Sequence, residues 1–460
     1  MDNFKSNRVL PSSFRDPAGF VFEENGEIFR TVSLEYKNEF ECFISSGLLD
    51  KLIKDNLIIP FSIINNKSNG EIYCVLKPER INQISYPYEW CFSQLKDAAL
   101  LTIKIAKIAL DYGMELKDAS AYNIQFYQGE PIFIDLLSFK TKKNNSPWIA
   151  YRQFCQHFLS PLLLMAHKEK SLISLLKNHI DGIPLSITSN LLGLKKFNSQ
   201  AFFHIYLQNK LSKKDINNAK GNKNFTKKDF FRILDNLFDI INNLKINIEN
   251  DNWSNYYEHK ILSDQYLKSK IKLVKDFISK IKPEYIYDIG SNTGIFSRIS
   301  SQFCKEVISL DSDIDCIELL FQDIKKNSIT NILPLVVDFA NPSPSIGWEN
   351  IERTSFLNRM KKDTILALAV IHHLIIGNNL PLTHLAEFFK KYCNNLIIEF
   401  IPLNDIKVQH LLKTRENIFK NITKEYFEKI FSQFFTIIER ETIDSSSRIL
   451  YLMKNNDQNK

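Results

Sequence analysis

Glycine is scarce in this chain, with 13 among 460 residues against an average usage of roughly 7%. Each glycine is therefore expected to mark a backbone need. Cysteine is scarce too: seven are scattered singly, odd in number and without a CxxC pair, which argues against a disulfide framework and a cysteine zinc cage. No segment supplies the roughly 18 uninterrupted apolar residues of a membrane span. The best, "TILALAVIHHLIIG", is short and broken by two histidines. The opening "MDNFKSNRVLPSSFRDPAGF" lacks the apolar core of a secretory signal. A cytoplasmic chain without a membrane span is the expectation.

What is present is enough to fold. Hydrophobic residues make up 44%, charged residues 24%, and 35 phenylalanines are available for cores. At this length two or three domains are expected, because single cores stop growing at about 250–300 residues. The net charge of +7 is modest, and residues 210–228 alone carry seven Lys against one Asp. That run reads as a solvated linker, with a phosphate-contacting strip as its functional alternative. The expected divisions are an N-terminal α+β domain over 1–209, the basic linker 210–228, a helical lid or connector over 229–282, and a ligand-binding domain over 283–457. Within the connector, "SKIKLVKDFISKI" puts Ile271, Val274, Ile278 and Ile281 on one stripe with lysines between.

From Tyr285 onward, short apolar strands alternate with helices of ten to fifteen residues, which predicts a doubly wound parallel sheet. The chain ends with a helix and two strands joined tightly enough to be antiparallel. In "YDIGSNTGIF", Gly290 and Gly294 stand behind Asp288, and Asn292 stands where a dinucleotide fingerprint would have its second glycine. The pattern D-x-G-x-x-x-G follows a strand and opens a helix, at the point where an open sheet holds its ligand. An acid there disfavours a pyrophosphate and suits a ligand bearing an ammonium and a sulfonium.

This constellation resembles the first motif of class I S-adenosylmethionine-dependent methyltransferases. The resemblance spans about residues 250–455 and implies a Rossmann-like α/β domain whose seven-stranded sheet has an antiparallel last strand. It also implies S-adenosylmethionine as cofactor, with Asp288, Gly290, Asn292 and Gly294 at its amino-acid end. Asp311, ending "VISLD", corresponds to the acid on the ribose hydroxyls, with Asp313 as a possible substitute. Asp338 corresponds to the contact with the adenine amino group, and Phe339 to a side chain packing on the base. A lone acid at any of these positions reads better as a helix cap; in order, at successive strand ends, they form a set.

His372 and His373 end the fourth strand, where the fold presents substrate-side groups. Similar "HHL" sequences occur in small-molecule methyltransferases, which implies that at least one histidine faces the cleft as a base. Glu399, ending the fifth strand, is expected on the same rim as a substrate-orienting group. No metal is expected, since no HExxH spacing occurs and no cysteine lies near the histidines in sequence. The loop "ANPSPSIGW" is expected to carry ligand contacts, with Trp348 on a sugar or base or else as a buried anchor. Trp253, Tyr256, Tyr257, Tyr266 and Lys270 are expected in a lid, packing within a helix being the plainer alternative.

In the N-terminal half, "LKDASAYNIQFYQGEPIFIDLLSF" sets Asp118 and Asn123 before a hairpin and Asp135 after it. This resembles the catalytic loop and metal-binding aspartate of protein-kinase-like and aminoglycoside-phosphotransferase-like folds, with Arg30 in place of the usual lysine. The chain departs from that pattern in having no glycine-rich phosphate loop and "DLL" where the metal motif has a glycine, so active phosphotransfer is not expected. The arrangement as a whole is similar to bacterial two-part methyltransferases of the host-specific nodulation type. It implies methyl transfer to a small-molecule or glycan acceptor chosen by the N-terminal domain. Nucleic acid is disfavoured because no RNA-binding module is recognisable. A bifunctional methyltransferase/phosphotransferase, an RNA methyltransferase and a non-catalytic cofactor sensor are the alternatives; oligomeric state and acceptor atom are not legible.

Overall fold

Alternation of apolar strands with amphipathic helices sets the second half of the chain. The computed structural model describes residues 9–65, 70–143, 146–193, 201, 203–207, 225–248, 264–413 and 422–459. They divide into two compact units. The first comprises Met1–Asn247 with Pro344–Ser355, the second Ile248–Ser343 with Phe356–Lys460.

In the first unit, β1 (Val21–Glu24), β2 (Glu27–Ser33), β3 (Phe61–Asn65) and β4 (Ile72–Pro78) form an antiparallel sheet in the order β1-β2-β4-β3. The helix Phe92–Asp111 supplies much of the core, burying Leu95, Ala99, Ile103 and Ala106 along one side. Two ribbons follow it: β5 (Met114–Leu116) with β8 (Phe139–Thr141), and β6 (Ile124–Tyr127) with β7 (Glu130–Phe133). The β6–β7 turn places Gln128 and Gly129 at φ 51° and 80°, the left-handed pair that two-residue hairpins need.

The 229–282 stretch, read from sequence as one connector, divides between the units. Helix Lys227–Asn243, capped by Thr226 and Asp229 in a reciprocal box, packs in the first unit, where Lys107 meets Asp235 at 2.6 Å. Helix Asp264–Ile281 belongs to the second. It buries Tyr266, Lys270, Val274, Phe277 and Ile278, leaving Ile271 and Ile281 only half-buried. The apolar stripe drawn from the sequence is therefore rotated, because a lysine lies on the buried face. Most of the basic run (210–224) and Trp253, Tyr256 and Tyr257 lie outside the described residues.

The second unit is built on β9 (Tyr285–Ile289), β10 (Glu306–Asp311), β11 (Ile332–Val336), β12 (Asp363–Ala367), β13 (Cys393–Phe400), β14 (Phe435–Thr442) and β15 (Ile449–Asn455). Their order is β11-β10-β9-β12-β13-β15-β14. The first five are mutually parallel, while β15 runs antiparallel to β13 and β14. Near-continuous buried runs in β9 to β13 are what a parallel sheet covered on both faces requires. The edge strand β14 instead exposes Glu439, Glu441 and Thr442, charges that discourage further pairing. Strand order reverses between β9's two neighbours, so a crevice opens at the carboxyl ends of β9, β10 and β12.

Leu366 is fully buried in β12 between β9 and β13. Leu366→Ala is expected to cost about 2–5 kcal/mol in urea unfolding of the second unit; a loss below about 0.5 kcal/mol would contradict this packing.

Candidate functional site

The crevice is shaped by a turn that has no room for side chains. Leaving β9, Gly290 takes φ 68°, Asn292 φ 51° and Gly294 φ 78°, a left-handed conformation costly for residues with a Cβ. A Cβ on Gly290 would sit 2.3 Å from Val370 Cγ2, and one on Gly294 2.3 Å from Leu320 Cδ1. The glycine pair thus meets two needs at once, backbone conformation and close approach. Asp288 lies beneath the turn, 2% exposed, accepting a hydrogen bond from Ser297 Oγ at 2.5 Å. Burial pushes its carboxyl up to about 6, against the pull of that bond.

Beyond the turn opens a cavity of about 460 Å³, within the size range of small-molecule sites. Gly290, Asn292, Asp311, Asp338, Phe339 and His373 all line it. Asp311 ends β10 with both carboxylate oxygens oriented by backbone: Oδ2 accepts from Asn292 N at 2.8 Å and Oδ1 from Asp313 N at 3.0 Å. Although only partly covered, it is pushed up to about 6 by desolvation. Asp313 also lines the cavity, and its carboxylate caps the helix Ile314–Lys326. Asp338 is exposed and turns on itself, accepting from Ala340 N at 2.9 Å. Phe339 is held edge-on against Phe388, 5.0 Å between ring centres.

The adjacent histidines part company. After β12 the chain bends through Ala369 at φ 56°, and His373 begins a π-helical turn to Gly377. His373 lines the cleft; burial first, then Lys407 and Arg448, lower its imidazole to about 4, leaving it neutral at pH 7. His372, 4% exposed, lines a small apolar cavity with Ile371, Ile375, Phe400 and Phe427, and neither ring nitrogen has a hydrogen-bond partner. Burial holds it well below the usual imidazole range.

Glu399 is not on the rim. Fully buried, it accepts from Lys270 Nζ at 2.6 Å and Tyr266 Oη at 2.8 Å, with Arg448 Nη1 at 3.4 Å. Arg448 also grips Asp405 with two bonds, at 2.8 and 3.1 Å. The sequence puts Glu399 at the end of β13 but does not reveal that its partners come from a helix some 130 residues earlier. Tyr266 and Lys270 are therefore core residues of this network. Trp348 is also displaced from its expected role: it lies in the segment grouped with the first unit and is 64% exposed.

Ala369, Leu368, Cys316 and Asn378 line the cleft as well, unannounced by any motif. Ala369 is the instructive case, because a left-handed alanine marks strain at a site yet reads in sequence as ordinary strand.

In the first unit, Asp118, Asn123 and Asp135 gather at the β6–β7 hairpin. Asp118 accepts from Ser120 N at 2.8 Å, and burial, then Asp135, raises its carboxyl. Asp135 pairs with Arg30 at 2.9 Å and accepts from the Ser138 hydroxyl. Arg30 also holds Asp16 at 2.8 Å. Among the described residues no group of three or more His, Cys, Asp or Glu is arranged for a metal ion.

The buried network predicts that Lys270→Met, which strands Glu399, destabilises the second unit by about 3–5 kcal/mol; Lys270→Met with Glu399→Leu should recover part of it in the same urea titration. No recovery would contradict mutual pairing. Asp288 gives a pH prediction. Its folded pKa of about 6 exceeds the unfolded value of about 3.9, so the folded state binds the extra proton and stability falls as pH rises from 4 through 6. Asp288→Asn removes that loss: ligand-free variant and wild type should match at pH 4, with the variant more stable by about 1–3 kcal/mol at pH 8. Equal stability at both would contradict a strained acid.

No family model matches the chain. It is 33% identical to nodulation protein NoeA of Rhizobium meliloti (strain 1021), over 97% of this chain and 96% of that protein. Among solved structures, the N-methyltransferase NodS from Bradyrhizobium japonicum WM9 in complex with S-adenosyl-L-homocysteine is similar at TM-score 0.32 and 14% identity, covering 45% of this chain and 100% of that one. The bifunctional kinase-methyltransferase WbdD is similar at TM-score 0.30 and 15% identity, covering 45% and 43%. Magnesium protoporphyrin IX methyltransferase from Synechocystis PCC 6803 with bound S-adenosylhomocysteine gives 0.30 and 15%, covering 41% and 84%. With a relative at this identity along nearly its whole length, the chain belongs to the family of nodulation protein NoeA.

Proposed function

We propose that this protein is an S-adenosylmethionine-dependent methyltransferase of class I, its second unit holding the methyl donor and its first unit selecting a small-molecule or glycan acceptor. The observation that carries this reading is the convergence of Asp311, the Gly290–Gly294 turn, Asp338, Phe339 and His373 on one cavity, at the switch point of a sheet whose last strand pair is antiparallel. A dinucleotide fits less well. The Asn292 amide, which a pyrophosphate would need, already donates to Asp311, and Asn292 replaces the glycine that would let the phosphates approach.

The donor set suits S-adenosylmethionine. Asp311 would accept from the two ribose hydroxyls, its carboxylate pre-oriented by two backbone amides. Phe339 would pack against the adenine and Asp338 take its amino group. The left-handed turn lets backbone, not side chain, face the amino-acid end. When bound, the donor supplies an activated methyl group, so the chain's remaining task is to hold an acceptor in line and take its proton. His373, kept neutral and facing the cavity, is the candidate base. His372 and Glu399, buried elsewhere, would act only through packing.

For the first unit, the hairpin bearing Asp118, Asn123 and Asp135 supports a protein-kinase-like reading of its fold. Phosphoryl transfer is not part of the proposal, because Arg30 occupies an oxygen of Asp135 that a magnesium ion would need.

Calorimetric titration with S-adenosylhomocysteine tests the donor site. Wild type should bind in the micromolar range, and Asp311→Ala should lose about 10–100-fold through two charge-assisted hydrogen bonds. Because Asp311 protonates near pH 6, wild-type affinity should also fall between pH 7.5 and 5.5. Absence of binding by folded wild type, or unchanged affinity in the variant, would contradict the proposal.

A further inference from the structure

The segment Pro344–Ser355 is a small closed hairpin within the first unit. Ile346 and Arg353 exchange backbone hydrogen bonds, both at 3.0 Å, and Ser355 N donates to Ser345 Oγ at 2.9 Å. Its base is pinned by Glu352, whose carboxylate takes the fork of Arg15 at 2.7 and 2.9 Å and the Trp348 amide at 3.0 Å. Arg353 lies 4.5 Å over the ring of Tyr122, and Tyr86 Oη accepts from Thr354 N at 3.1 Å.

At the tip, Gly347, Glu349 and Asn350 are left-handed, at φ 84°, 55° and 57°. A Cβ on Gly347 would come within 2.6 Å of Glu352 Oε2 and 2.8 Å of Ile180 Cδ1. Between these residues Trp348 is held in solvent, 64% exposed. Left-handed backbone at a non-glycine residue costs on the order of 1–3 kcal/mol and gathers where it serves a function; an exposed indole adds no stability to offset it. A rigid hairpin is therefore holding an aromatic face outward.

We propose that Trp348 is a docking face for a neutral sugar ring. An indole face carries negative quadrupole density and attracts the C–H faces of a pyranose, while the ring's hydroxyls need acceptors at the edges. Such acceptors flank it: Glu349, exposed and bonded to Trp348 Nε1 at 3.2 Å, and Asp181, paired loosely with Arg15 at 3.8 Å. These carboxylates repel phosphate, which argues against a nucleic acid. The large apolar neighbours on the anchoring strands are only Phe14 and Ile351, 52% and 49% exposed, well short of the roughly 800 Å² per partner of a protein interface.

The inference rests on the reading of the first unit as acceptor-selecting, and is tested without the methyl donor. Full-length protein is titrated with cellotetraose and with a tetramer of N-acetylglucosamine, following ligand saturation-transfer NMR and calorimetry. Wild type should bind at least one of them, Trp348→Ala should weaken that binding by at least about tenfold, and Trp348→Phe should largely restore it. Circular dichroism of the variants separates misfolding from lost contact. No binding of either sugar, equal binding by a folded Trp348→Ala, or binding of choline or an RNA oligomer in their place overturns the proposal. S-adenosylhomocysteine titration of the same samples keeps the outcomes apart: sugar failure with donor binding removes this inference alone, and donor failure removes the methyl-transfer reading.

Discussion

The second unit's cleft depends on a corner from which side chains are excluded. Gly290 and Gly294 are left-handed and pressed against Val370 and Leu320, so the chain leaving β9 can turn under β12's outgoing loop and start the helix Ile295–Ser300 without intervening bulk. That clearance brings Asn292 N to Asp311 and leaves the cavity walled by backbone at one end. A chain with few glycines uses two of them here because neither the dihedral nor the space has another solution.

Charge is arranged around this corner with unequal comfort. Asp288 and Asp311 are both pushed up to about 6 by burial, an energetic debt that a ligand with hydrogen-bond donors and a positive charge would relieve. Farther along the sheet, Glu399 is held well ionised by Lys270 and Arg448. The cationic groups Lys407 and Arg448 in turn keep His373 unprotonated. Glu399 therefore acts on the cleft through the charges it organises, not by facing it.

Much of this is legible in sequence because it is local. Strand–helix alternation, the order of acids at strand ends and the glycine spacing are all set within a few residues, and each strand from Tyr285 onward falls within its expected stretch. Burial of Lys270 and Glu399 is not legible, since a lysine on a helix reads as solvated until its partner arrives from β13. The orientation of His372 and His373 depends on the bend at Ala369, which no residue type announces. Trp348 misleads for a different reason: position in the chain suggests the cleft loop, while the buried ion pair of Glu352 with Arg15, 337 residues away, decides which unit holds it.

The most direct test of the account is a crystal structure of the protein soaked with S-adenosylhomocysteine. The account predicts density in the second unit's cavity, the ribose hydroxyls on Asp311, the adenine against Phe339 and the sulfur toward His373. Density for the ligand elsewhere, or a pyrophosphate-containing dinucleotide displacing it from the Gly290–Gly294 turn, would contradict it.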